Sequence, residues 1–297
     1  MLLHHLVTCV LFLVSLLGFI VNAFFFLKLT ALQKTLNSFQ KLCFVKGISN
    51  ALICASIILW AVPLSAFSAK TENVWRSWNI GISELTASGG YIFGPLCQIL
   101  MAANRVIVLY CPLFRMRMER VPSTNISIFV CVLVSLYCSI AGMQGPCVLI
   151  YHPETLAWSP ELSTCIDSMD GLQLATIIIL TFIAILFNVL AVFKLIYDKV
   201  SGITDTQKSR RRKRWLAMFI QNVIQDALHV IDMINYSVLD KLVEGEGFHF
   251  IFMSLSFALI YVLDGIVMLR FHVYTQQRAV ERKNWMFVVA QFSPRQT

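Results

Sequence analysis

Charged side chains are scarce in this chain: Asp, Glu, Lys and Arg make up 13% of its 297 residues, against 58% hydrophobic and a mean hydropathy of +0.72. No polar stretch is long enough to form a domain of its own, which excludes a soluble protein with a water-facing shell. Clustered metal ligands are missing too. His4, His5 and scattered single histidines do not give the paired acids or His-rich spacing that an intramembrane hydrolase needs on facing helices. No catalytic residue, metal site or cofactor is therefore expected. Positive charge ahead of the first apolar run is absent, as is a small-residue cleavage site after it, so that run reads as a retained span rather than a signal peptide.

What the chain has instead is seven apolar runs, read as spans at about 6–28, 42–66, 83–110, 126–146, 172–197, 215–239 and 248–270. A hydrocarbon core about 30 Å thick needs roughly 20 apolar residues in a helix. The expected fold is an all-α membrane protein, a seven-transmembrane helix bundle occupying residues 1–297 as a single domain. Of the 24 Lys and Arg, 19 fall in alternate gaps, among them the Arg-Arg-Arg-Lys-Arg run at 210–214, while the other gaps hold Lys70, Arg76 and Lys241. Cytoplasmic loops carry the positive excess, which puts the amino terminus outside and the carboxyl terminus inside. The +8 charge is then a topology signal, and nucleic acid is not an expected partner: the basic run abuts a span and lacks interleaved aromatics. Membrane lipid is. Beyond the last span, Phe271, Val280 and Trp285 alternate with Arg278, Arg282 and Lys283, a pattern suited to a short helix on the inner leaflet and equally to a disordered tail.

The third span closes on Asn104-Arg105-Val106 with Pro112-Leu113 seven residues after the arginine. This resembles the end of the third helix in rhodopsin-like receptors, with Asn in place of the acid and Val in place of the tyrosine. A closer resemblance is to the nematode serpentine chemoreceptors of class x. It runs through Ser38-Phe39, Leu42-Cys43, Lys46, Ser49-Asn50, Trp60, Pro63-Leu64, Tyr91, Gly94-Pro95-Leu96, Leu100-Met101, Asn104-Arg105, Pro112, Cys147, Trp158 and Cys165, while the later spans fit by hydropathy alone. That family also places Asn before the arginine. The resemblance implies a receptor in the plasma membrane of a sensory cilium, coupled to a heterotrimeric G protein through Asn104, Arg105 and Pro112. An acid at the inner end of span six, the usual resting partner of the arginine, is missing, since the basic run stands there. Span six also lacks the superfamily's proline, and Asp264-Gly265 stands where Pro would follow an Asn or Asp in span seven.

Span six carries Asn222, Gln225, Asp226, His229, Asp232 and Tyr236 at helical spacing. At about 100° per residue all but Asp232 fall within about 60° of Asn222, and Asp232 lies about 80° away. A carboxylate facing lipid costs roughly 2.5–3.5 kcal/mol on insertion scales, so this face must point into the bundle. Asn222, Gln225 and Asp226, with Asn22, Asn50 and Asp264, are expected to bond helices together. His229, Asp232 and Tyr236, nearer the outside, are expected to line a ligand pocket with Trp60, Tyr91, Gln98 and Tyr261. Gly94-Pro95 is expected to kink span three.

Of nine cysteines, Cys147 and Cys165 alone flank the outer loop between spans four and five. They bracket a strand-like run at 148–151, a turn at His152-Pro153-Glu154 and a return strand at 156–158, which predicts a disulfide-pinned hairpin over the pocket. The short outer segments offer a protein hormone nothing to dock on, so the expected ligand is a small molecule or short peptide. The main alternative is a small seven-span transporter or channel with a polar permeation path. No inverted repeat is visible, however, and Asp226, Asp232 and Asp264 have no counterparts in the first three spans.

Overall fold

A backbone surrounded by hydrocarbon must hydrogen-bond to itself, which restricts spanning segments to helices or closed barrels. The computed structural model describes residues 2–31, 38–67, 74–111, 123–200, 205–242 and 246–271, and the seven runs are helices. α1 is Leu2–Thr30. α2 runs from Ser38–Ser56 through a π-helical turn, Ile57–Ala61, into Val62–Ala66. α3 joins Arg76–Ser83, the π segment Glu84–Gly90 and Tyr91–Tyr110. α4 is Ser123–Gln144 and α5 is Ile166–Val200. α6 joins Asp205–Ile234, a π turn at Asn235–Leu239 and Asp240–Leu242. α7 begins at Glu246–His249 and spans Phe250–Phe271, its first turns π-helical. Between α4 and α5 lies an antiparallel hairpin, β1 (Leu149–His152) and β2 (Ala157–Pro160), with Tyr151 opposite Trp158. Pro112 and the segment after Phe271, with its expected surface helix, lie outside the described residues.

Six of these helices are long and apolar enough to cross a membrane. α6 is the seventh, and it misses that composition because one face is polar. It buries Gln221, Asn222, Gln225, Asp226, His229 and Asp232 and turns Ile220, Val223, Ile224, Ile231 and Ile234 outward. α4 buries only Cys131 and Ser139 and shows Phe129, Val130, Leu133, Tyr137 and Ile140. In water, apolar surface of this extent would drive association; against acyl chains it meets its own kind.

α3 is the central helix and packs on α2, α4, α5 and α6. It continues through Pro95, and its departure from α geometry falls earlier, in Glu84–Gly90. A π segment misaligns backbone acceptors with their usual donors. Here α4 supplies substitutes: Ser135 Oγ donates to Gly89 O at 2.8 Å, and Ser139 Oγ donates to Glu84 O at 3.1 Å. Gly89 is required at this crossing, because a Cβ there would overlap the Ser139 hydroxyl. The π turn of α2 likewise precedes Pro63, which has no N–H to donate.

The interior is layered. An apolar layer at the hairpin end gathers Leu11, Ile57, Tyr91, Tyr151, Trp158, Phe257 and Tyr261. A second at the far end holds Phe25, Leu29, Leu42, Met101 and Met268. Between them sit buried polar side chains, among them Asn22, Lys46, Asn50, Gln98, Gln225 and Asp264.

Candidate ligand cavity and coupling residues

The hairpin is held over the bundle by specific donors and acceptors. Cys147 and Cys165 are disulfide-bonded, with their Cα atoms 5.6 Å apart. Asn79 of α3 pairs with β1 as another strand would, accepting from Tyr151 N at 3.1 Å and donating to Tyr151 O at 2.9 Å. Glu84 accepts from Leu149 N at 2.8 Å, and Tyr151 OH meets Ser65 Oγ of α2 at 2.7 Å. On α7, Ser254 Oγ donates to Leu156 O. Leu156 has a positive φ of 58°, a conformation costly for a branched residue. Its side chain is buried in the hairpin-end layer, and that packing fixes the turn. At the rim, Arg76 grips Glu161 with two bonds of 2.8 and 2.6 Å. Arg76 thereby holds the Glu161 carboxyl below its ordinary value, while burial lowers His152 and pushes the Tyr151 phenol up.

Beneath the hairpin lies a cavity of about 40 Å³ whose wall includes Tyr91, Trp158, Gln173, Asp232, Met233, Tyr236, Met253 and Phe257. Three of the seven residues expected to line a pocket, Tyr91, Asp232 and Tyr236, are on this wall. Four are placed elsewhere, for identifiable reasons. Trp60 donates from Nε1 to Asn79 Oδ1 at 3.1 Å, bracing the hairpin anchor. Tyr261 packs edge-on beneath Phe257, with ring centroids 5.2 Å apart. His229 turns its ring against the edge of Tyr91 at 5.7 Å and fills the space left by Gly94, where a Cβ would come within 3.0 Å of Nε2. Gln98 lies deeper, in the polar layer. Trp158 and Gln173 are wall residues that the sequence reading did not assign to the pocket; Trp158 appeared there in the family resemblance and in the return strand.

The polar layer is centred on Asp264. Lys46 pairs with Oδ1 at 2.8 Å, Gln225 Nε2 donates to the same oxygen at 2.6 Å, and Asn50 Nδ2 donates to Oδ2 at 2.6 Å. Asn22 Oδ1 accepts from Asn50 at 3.4 Å, and Asn22 Nδ2 donates to Tyr261 O at 3.0 Å. Gly265 permits this, since a Cβ there would press within 3 Å of the Asn22 amide. With its amide oriented to satisfy both neighbours, Gln98 donates to Asp226 Oδ1 at 2.6 Å and accepts from Lys46 at 3.0 Å. The amides and acids expected to join helices therefore do meet, with Asn222 one step removed. The missed member is Lys46. It is fully buried as the counter-ion of Asp264.

Arg105 is also buried. Its guanidinium donates to Asn188 Oδ1 of α5 at 3.2 Å and to Asn222 Oδ1 of α6 at 3.0 Å, and lies over the Phe39 ring at 5.1 Å. Asn104 beside it is half-buried. Two amides and an aromatic face hold the cation. The signal for Asn188 was a lone amide in an apolar span, which single-sequence reading passed over.

Seven helices around a buried Arg105, a polar layer and a disulfide-pinned hairpin describe a serpentine receptor, and comparison with known families decides which. The family described as serpentine type 7TM GPCR chemoreceptor Srx matches residues 12–272. The chain belongs to that family. No curated protein matches it. The receptor is thus an integral, multi-pass membrane chemoreceptor, and the match extends through α5, α6 and α7, where sequence inspection had found agreement in hydropathy alone.

Proposed function

We propose that the receptor admits a small molecule or short peptide to the cavity beneath the hairpin and responds by activating a heterotrimeric G protein at the far end of the bundle. The observation that carries this reading is the inward face of α6. It places Asp232 and Met233 on the cavity, Gln225 and Asp226 in the polar layer and Asn222 on Arg105. A ligand that shifts Asp232 therefore acts on the same helix that holds the guanidinium. Outward movement of α6 draws Asn222 away and frees Arg105, with Asn104 and Pro112 beside it in the chain, for the G protein's terminus. The skew of Lys and Arg supports an outer amino terminus and a cytoplasmic carboxyl terminus, with residues 1–297 acting as one unit in the plasma membrane of a sensory cilium.

The test is heterologous expression with a calcium or cyclic-nucleotide reporter, screening odorant and pheromone mixtures against wild type and Arg105→Ala, with surface abundance measured in parallel. Responses in wild type and at least a tenfold loss in Arg105→Ala at equal surface abundance are expected. Unchanged responses would remove Arg105 from coupling.

A further inference from the structure

The only acid on the described cavity wall is Asp232, and its hydrogen bonds indicate what the cavity accepts. The side chain is buried, 4% exposed. Oδ2 accepts from Tyr91 OH at 2.9 Å and Oδ1 accepts from Ser256 Oγ at 2.6 Å. The second bond has its direction fixed from behind. Asn235 Nδ2 donates to Ser256 Oγ at 3.0 Å, which leaves the hydroxyl's single proton for Asp232. With both neighbours donating, the carboxyl is an acceptor at each oxygen, the arrangement of an ionised group, and each oxygen retains a further lone pair.

That charge has no partner of opposite sign among the described residues. Asp264 is neutralised by Lys46 at 2.8 Å, but Asp232 is met by two neutral hydroxyls and makes no ion pair among the described residues. A charge removed from water without a counter-ion is costly, and the cost falls when one is supplied. Around Asp232 the wall is aromatic. Phe257 stacks on Tyr91 at 5.9 Å and meets Trp158 at 5.1 Å, and Tyr236 is a fourth aromatic on the wall. Aromatic faces attract cations through their quadrupoles, more strongly where water is excluded. An anionic ligand would be repelled here, and a neutral one would leave the carboxylate uncompensated.

We infer that the cavity, taken as the ligand site proposed above, binds the ammonium group of a small organic amine between the Asp232 carboxylate and the surrounding rings. Its volume of about 40 Å³ holds roughly three water-sized groups. That suits a primary or methylated amine head, while a bulkier remainder requires the hairpin to shift.

The experiment is thermal unfolding of the purified full-length receptor in detergent, read by labelling of the buried thiols of Cys54 and Cys97. The probes are methylamine, isopentylamine, phenethylamine and tetramethylammonium, each against its uncharged isostere. At least one amine is expected to stabilise the receptor with an apparent affinity at least tenfold tighter than its isostere, and Asp232→Asn is expected to erase that preference. Equal stabilisation by amines and isosteres overturns the inference and leaves the ligand site standing. No stabilisation by either set overturns both. Preference for amines persisting in Asp232→Asn assigns the cation elsewhere and also overturns it. The wild-type comparison alone decides the matter if Asp232→Asn does not fold.

Discussion

Lys46→Met isolates the charge balance of the polar layer. The ammonium lies 2.8 Å from Asp264 Oδ1 with both groups buried. At an effective dielectric of about 20, that separation corresponds to an attraction of about 6 kcal/mol. Much of this offsets the desolvation of the two ions, so the pair contributes little net stability while it is intact. Removing one partner is different. Methionine fills the space of the lysine stem, but Asp264 keeps only the amide donors of Asn50 and Gln225. Stranding a buried charge costs about 3–5 kcal/mol, and two remaining donors put this case near 3. At roughly 2–4 °C per kcal/mol for a chain of this size, the apparent Tm falls by about 6–12 °C. Thiol labelling of the detergent-purified receptor measures it, since Cys43, Cys54, Cys97 and Cys131 are buried and free. Adding Asp264→Asn removes the stranded charge, so the double variant should recover most of the loss. A single-variant shift under about 2 °C, or a double variant as unstable as the sum of the two singles, refutes the coupling.

Two further perturbations act on the hairpin. Cys147→Ser opens a loop with a sequence separation of 18, worth about 3 kcal/mol in the chain-entropy model. It should lower cavity ligand binding and stability together, and mass spectrometry should find Cys147 and Cys165 alkylated in wild type only after reduction. The Arg76–Glu161 contact depends on pH in one direction. Glu161 is held below its ordinary value of 4.5 by Arg76, so the contact is fully present above that value and is lost as pH falls through the depressed one. Hydrogen exchange at Glu161, whose N–H donates to Val148 O, corrected for intrinsic rates, should rise over that acid range in wild type. In Arg76→Gln it should already be raised at neutral pH and show no further step; a step of wild-type size there would remove the pair as its cause.

Much of the fold was legible because lipid constrains a sequence more strongly than water does. Length and apolarity mark seven spans, and in the sixth the polar residues recurring on one helical face add that this face points inward. The hairpin was legible because Cys147 and Cys165 bracket two short runs on one side of the membrane. Partners were harder to read. Asp264 was expected to join helices, but Lys46 and Asp264, 218 positions apart, carry no mutual mark in one sequence. Asn79 and Glu84 were missed because their ligands are backbone atoms of the hairpin, which impose no residue type on the other side. Trp60, Gln98, His229 and Tyr261 were sorted by residue type, whereas the depth of each along its helix decides whether it meets the cavity. The π segments in α2, α3, α6 and α7 add to this, since each rotates the faces beyond it relative to a regular helix.

The way Arg105 is held follows from the groups that face it. A carboxylate would add a second charge to the hydrogen bonds of the guanidinium and favour a bidentate ion pair, and such a lock would have to be broken whenever α6 moves. Here the acceptors are the amide oxygens of Asn188 and Asn222, and Nε of Arg105 has no partner. The ion pair has instead been moved a few turns away, to Lys46 on α2 and Asp264 on α7. Gln225 of α6 touches this pair through the hydrogen bond of a neutral amide to the Asp264 carboxylate. At the depth of Arg105 and the polar layer, an ion pair therefore joins α2 to α7, whereas the described contacts of α6 are hydrogen bonds in which only one partner is charged, which is the distribution a bundle needs if α6 is the element that moves.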